Sequence, residues 1–356
     1  MKRTVLFLAA LMTVSLSWAQ LNKSEVKNLT SFLSQTAANG ETNAAALGIG
    51  VKNITAAPGL KVENGHIVEI DWSHKKLAGD LNLSGFTYLK KVNVSDNKLN
   101  TLTLANNPAL YAVNASHNRL TDFTVTGCPQ VMNLKLNSNR LAEVNLTSVP
   151  LLTTLNLSSN AFEALDVSNA VNLKTLNVIG NKLETLEVSG CQNLKNLYAG
   201  FNKLTSITLQ GLVNLANLNI NNNKIKKLYI QDLPALSTLL CSDNHMTQLA
   251  VTNCKSVNEI WAPYNDLTEF SVDNVPTLAF VNVEWNDLTQ LFLNNQNFLQ
   301  RVNASNNQLI TLDVSFDPML TTVNVTYNDM LTDFRAQSCP MLAHVIGYNE
   351  WDPYWE

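Results

Sequence analysis

The sequence predicts a β-solenoid of stacked 21-residue coils, with a β-strand on both sides of each coil, gently curved, behind a small helical N-terminal cap. Three observations predict it. Thirteen asparagines recur at an unbroken spacing of 21 residues, from Asn97, Asn118 and Asn139 through Asn328 to Asn349. Each is framed alike, as in Leu152-x-x-Leu155-x-Leu157-x-x-Asn160-x-Phe162-x-x-Leu165-x-Val167. Apolar residues five and seven after the asparagine (Leu186 and Val188; Leu228 and Ile230) alternate with polar ones. Alternation with β-branched residues is strand patterning, and a coil this short has no room for a helix on its second side.

Taken in order, residues 1–19 read as a signal peptide. Lys2 and Arg3 precede the apolar run Val5 to Leu11, and Ser17-Trp18-Ala19 supplies the small residues a signal peptidase needs before Gln20. Residues 20–65 fall outside the repeat and read as the cap. Asn22-Lys23-Ser24-Glu25 resembles a capping box, and Val26, Leu29, Phe32 and Leu33 form one helical stripe. A second short helix is expected over Asn43 to Leu47, stopped by Gly48. A hairpin over Leu60 to Trp72 turns at Asn64-Gly65, the dipeptide of tight type I′ turns. Such a cap is needed because an open solenoid end exposes core and unpaired strand edges.

The repeats span residues 66–349, beginning with an atypical coil in which Lys76 stands where the asparagine would be. Inward positions then hold firm: Val92, Val113, Leu134 and their equivalents lie five before each asparagine, and Leu99, Leu120 and Leu141 two after it. One extra residue follows Asn328, and the stretch Leu342 to Asn349 is one short, which restores the count. Residues 350–356, with Trp351, Tyr354 and Trp355, are either an improvised cap over the last coil or the mark of a truncated chain.

The frame L-x-x-L-x-L-x-x-N at a fixed period is the signature of a leucine-rich-repeat solenoid. Its asparagine is structural: the amide offers both donor and acceptor to backbone groups of the following turn, and stacked amides would make a continuous network. Over about residues 66–349 the sequence resembles exported bacterial leucine-rich-repeat proteins of the 21-residue type, above all internalin-J-like surface proteins. The lead-in Gly65-x-Ile67-x-x-Ile70-x-Trp72 to Leu81-x-Leu83-Ser84-Gly85-Phe86 is similar to secreted repeat proteins of Gram-negative gut and oral bacteria. The resemblance implies a secreted or cell-surface binding protein, often an adhesin. The sequence lacks a wall-sorting tail or a lipid-attachment cysteine after its leader, which leaves the periplasm open as a location.

Composition narrows the partner. With Lys2 and Arg3 removed, 22 basic residues face 28 acidic ones, a net charge of −6, which argues against nucleic acid. No later segment is long and apolar enough to cross a membrane. The five cysteines are expected to be buried and reduced. Cys128, Cys191 and Cys254 occupy one column three coils apart, beyond disulfide reach. The five histidines fall on separate coils, and no nucleophile, phosphate-loop or metal-ligand spacing occurs, so no enzyme, cofactor or metal is expected.

The sharper signal is on the outward side of the first strand. Four residues before the asparagine most coils carry Asn, with Lys135 once, but Tyr198, Leu240 and Trp261 bring bulky apolar groups into the column. One residue before it stand Phe201, Tyr264, Trp285 and Tyr327, and Phe280 projects from the same face. Inward slots are already filled, so Tyr198, Phe201, Leu240, Trp261, Tyr264, Phe280 and Trp285 are expected to form one patch for a protein or glycan ligand. The contrary reading is a passive envelope solenoid with no specific ligand. Either way the module is read as a monomer.

Charge is graded along one edge. The residue after the asparagine is Lys98, Arg119, Arg140, Lys182, Lys203 and Lys224 in the first half, then Asp266, Asp287 and Asp329.

Overall fold

The computed structural model describes residues 21–348, so the leader, Asn349 and the aromatic tail lie outside the described residues. Helix α1 (Lys23–Leu33) starts at Asn22, whose Oδ1 accepts the Ser24 N–H at 2.9 Å. The capping box closes at that end alone. Glu25 is buried and reaches away from its own helix to the His66 ring (3.1 Å) and the Ile67 N–H (3.0 Å). It therefore pins the helix to a hairpin formed by β1 (Leu60–Glu63) and β2 (His66–Asp71). The turn residues Asn64 and Gly65 both have positive φ, as a type I′ turn requires. Helix α2 (Asn43–Ala46) ends before Gly48 at φ +73°.

Two side chains of this segment complete the edge of β3 (Ala78–Asn82), the first strand on the second side of the solenoid. Gln35 accepts the Asp80 N–H at 2.7 Å and donates to its carbonyl at 2.9 Å. Asn43 does the same for Ala78, at 3.0 and 2.8 Å. Amide side chains thus stand in for a neighbouring strand along Ala78 to Asp80, which blunts that edge against pairing with another chain. Gly79, at φ +90°, is required here, since a Cβ would collide with the Gln35 amide oxygen. Phe32 stacks on buried Trp72, which seals the start of the core.

Among the described residues, fifteen strands form one long sheet: β1 antiparallel on β2, then one parallel strand per coil from Lys91–Asn93 to His344–Ile346. Its central residues, Val92 through Leu176 to Val323, are all buried, as are Leu99 to Leu309 two residues past each asparagine. The second side is less regular than expected. Its strands fall into four separate sheets, and the coils at residues 142–147 and 205–209 have none, although their alternation is unchanged. Nothing in the side chains there explains the missing pairing. The extra residue after Asn328 is absorbed before residue 333, because pairing steps from 21 to 22 residues at Leu312–Phe334 and Val323–Val345.

The asparagine ladder works between coils. Asn202 Nδ2 donates to the Val178 carbonyl of the preceding coil (3.0 Å) and to Ala199 (3.1 Å), while its Oδ1 accepts the Leu183 N–H (3.0 Å). The same bonds recur from Asn118 to Asn328. The amides bond to backbone and not to one another, which corrects the expected amide network. All five cysteines are free, and four are buried; Cys339 is half-buried. Burial pushes the Cys191 thiol up to about 11, with nearby Asp166 and Glu187 adding to it, and Cys241 higher still.

Candidate binding surface

Every ladder asparagine from Asn97 to Asn328 is preceded by a residue in the left-handed region, such as Asp96, Ser138, Gly180, Asn222, Asp243 and Asn306, at φ between 52° and 69°. That turn lets the chain leave the long sheet. Gly, Asn and Asp fill it cheaply, whereas a bulky side chain there costs about 1 kcal/mol. Phe201, Tyr264, Trp285 and Tyr327 occupy it nonetheless, at φ 55°, 56°, 52° and 61°. Phe201 is 60% exposed, and Tyr264 and Trp285 are each 51% exposed. The backbone strain at these positions is therefore not repaid by burial of the ring.

The strand column tells a matching story. Asn93, Asn156, Asn219, Asn282 and Asn303 each accept the N–H two residues on, so this outward asparagine caps the strand end. Trp261 gives up that bond, but two residues later stands Pro263, which has no N–H to satisfy. At Leu240 the orphaned Ser242 N–H goes to Asn221 Oδ1 of the previous coil at 2.7 Å. These two replacements are therefore compensated locally.

Five of the seven candidates lie on three neighbouring coils and form two ring pairs. Leu240 pairs in register with Trp261; Trp261 meets Phe280 at 4.5 Å between ring centroids; Tyr264 stacks on Trp285 at 6.0 Å and 14°. Tyr198 and Phe201 stand apart. Asn219 lies between Tyr198 and Leu240, and Asn222 and Asp243 between Phe201 and Tyr264, a gap of roughly 14 Å in the latter column at ~4.8 Å per coil. Where the sequence led to one patch, the structure has two ring pairs on adjacent coils and a separate outpost.

Two carboxylates belong to the cluster and were passed over in the sequence. Glu259 accepts the Trp261 indole N–H at 3.2 Å and fixes that ring. Glu284 accepts from Asn282 Nδ2 (3.1 Å) and Asn303 Nδ2 (3.0 Å). The signal existed: at both columns the earlier coils from residue 112 onward carry neutral residues. Among the described residues no group of His, Cys, Asp or Glu could hold a metal ion, and no helix is long and apolar enough to cross a membrane.

Neither a family model nor a curated relative matches the sequence. Solved structures do resemble the fold. The leucine-rich effector YopM of Yersinia pestis is 23% identical, with a TM-score of 0.58, over 75% of this chain and 74% of that one. A leucine-rich-repeat protein of Leptospira interrogans is 19% identical, with a TM-score of 0.53, over 77% of this chain and 92% of that one. The Arabidopsis receptor kinase HAESA, solved with a peptide hormone and a co-receptor, is 20% identical with a TM-score of 0.53; the match covers 70% of this chain and 48% of that one. With period, inward columns and asparagine ladder in agreement, the chain is a leucine-rich-repeat solenoid of 21-residue coils.

Proposed function

We propose that this protein is an exported interaction module that binds a protein partner through the cluster Leu240, Trp261, Tyr264, Phe280 and Trp285. The observation that carries the reading is the Tyr264–Trp285 pair: two half-exposed aromatic rings, stacked in parallel, both on left-handed backbone. Exposed aromatic groups that touch one another mark interaction sites, and Trp and Tyr dominate binding energy where they occur. The asparagine-lined strands on either side would serve as its polar rim. HAESA, a structure of the same fold, is in complex with a peptide hormone, which supports a polypeptide as the class of ligand. Residues 1–19 would direct export, and surface display of the internalin-J kind is the use this reading favours.

Screening purified wild type and Trp261→Ala/Trp285→Ala against arrayed extracellular proteins and glycans tests it. A ligand retained by wild type and lost by the variant is the expected result. An array on which both are silent would favour the passive envelope solenoid.

A further inference from the structure

We infer that the aromatic cluster receives a basic polypeptide segment, its arginine or lysine side chains lying over the rings and beside Glu259 and Glu284; this rests on the binding reading above. Charge carries the argument. Residues 240–290 hold seven acidic residues (Asp243, Glu259, Asp266, Glu269, Asp273, Glu284, Asp287) and a single basic one, Lys255. Residues 91–224 hold ten basic and seven acidic, so the excess of carboxylate is local to the aromatic coils. Glu269 and Asp273 lie on the second side of the coil, and the other five in the first strand or the turn after it.

These carboxylates are held without being neutralised. Glu284 is fixed by the amides of Asn282 and Asn303, Glu259 by the Trp261 indole, and Asp287 by Gln308 Nε2 at 2.8 Å. Among the described residues none of those three forms an ion pair with Lys or Arg, and Asp266 meets only His245, at 3.5 Å. Arg301, one strand beyond Phe280, is the nearest cation along the strand face. Neutral donors thus hold Glu259 at the edge of the Trp261 ring and Glu284 in the residue before Trp285, among rings whose faces themselves attract cations. A lysine or arginine placed there would gain from both, and the surrounding negative field would steer it in. An acidic glycan would be repelled, and a neutral one would leave the carboxylates unused.

Fluorescence anisotropy of labelled octa-arginine, octa-lysine and octa-glutamate, with chitohexaose as competitor, tests this on wild type, Trp285→Ala and Glu259→Gln/Glu284→Gln. The cationic peptides should bind wild type. Each variant should weaken them about tenfold, and raising salt from about 50 to about 300 mM should weaken them further. Octa-glutamate should not bind. Cationic binding that is absent, or unchanged in the Gln variant or in Trp285→Ala, overturns the inference; so does binding displaced by chitohexaose. An arrayed ligand lost by Trp261→Ala/Trp285→Ala but indifferent to the Gln variant would overturn this inference and leave the binding module standing.

Discussion

Asn107 and Asp317 stand at the same position of the coil, 210 residues apart, and each uses Oδ1 to accept the N–H of the residue 21 before it: Phe86 at 3.0 Å and Gln296 at 2.7 Å. Their second atoms differ. Asn107 Nδ2 donates to the Leu83 carbonyl at 2.9 Å, and in the same column Cys128 and Cys191 donate to the carbonyls of Leu104 and Val167. Each of those carbonyls lies 24 residues back. Asp317 Oδ2 is buried with no partner. The column supplies a donor to the preceding coil, and a carboxylate cannot donate unless it is protonated.

Burial therefore pushes Asp317 up to about 7, with the charge of Asp313 adding to it and the Gln296 N–H opposing. The native state binds a proton that the unfolded chain, with a carboxyl near 3.9, has released. Stability should consequently fall as pH rises from about 4 to about 7 on account of this group. Asp317→Asn restores the amide of Asn107. It should melt like wild type near pH 4 and be more stable by about 1–3 kcal/mol at pH 8. A melting difference that does not change with pH would count against this assignment.

The turn aromatics should be dispensable for folding. Phe201→Asn places the residue used at Asn222 on left-handed backbone and removes no ring contact. It should raise stability by about 1 kcal/mol in urea denaturation. A loss of stability would mean that Phe201 is packed in solution.

Trp261→Ala and Leu176→Ala should separate binding from folding. Leu176 is fully buried, so its truncation should cost about 2–5 kcal/mol of stability. Trp261→Ala opens no core cavity and should cost under about 1 kcal/mol of stability, yet weaken ligand binding by about 2 kcal/mol or more. Equal damage to folding from the two would remove Trp261 from the site.

The thiols give a chemical readout of burial. Unfolded protein should react with five equivalents of thiol reagent without prior reduction, because all five cysteines are free. Folded protein should react fast only at half-buried Cys339, since desolvation raises the pKa of every thiol and the other four are enclosed. A deficit of two in the unfolded count would reveal a disulfide.

A ladder asparagine should matter to stability, though less than a core leucine. Asn202→Ala strands the Leu183 N–H in a buried seam and removes one of the two amide donors to the Val178 and Ala199 carbonyls, which keep Asn181 and Asn223. It should lower stability by about 1–3 kcal/mol by equilibrium unfolding. Asn219→Ala, which loses a strand-end cap at a half-exposed position, should cost less.

The sequence by itself determined the period, the buried columns and the structural character of the ladder. Those follow from what a single coil must do: put Val92, Leu176 and Leu309 inside and turn at a fixed place, demands that neighbouring residues record directly. It also marked which side chains are too large for their column, Trp261 and Trp285 among them. Only the tertiary structure decided how coils meet. That Asn202 bonds back to Val178, that Glu25 leaves its helix for His66, and that Asp317 Oδ2 is buried without a partner are facts of stacking. So are the polar gap that sets Phe201 apart from Tyr264 and the missing strands at 142–147 and 205–209. A column read along the chain gives each residue's neighbours in sequence. The energy of its polar atoms depends on a partner 19 to 25 positions away, whose direction is set once the coil has closed and the next one lies upon it.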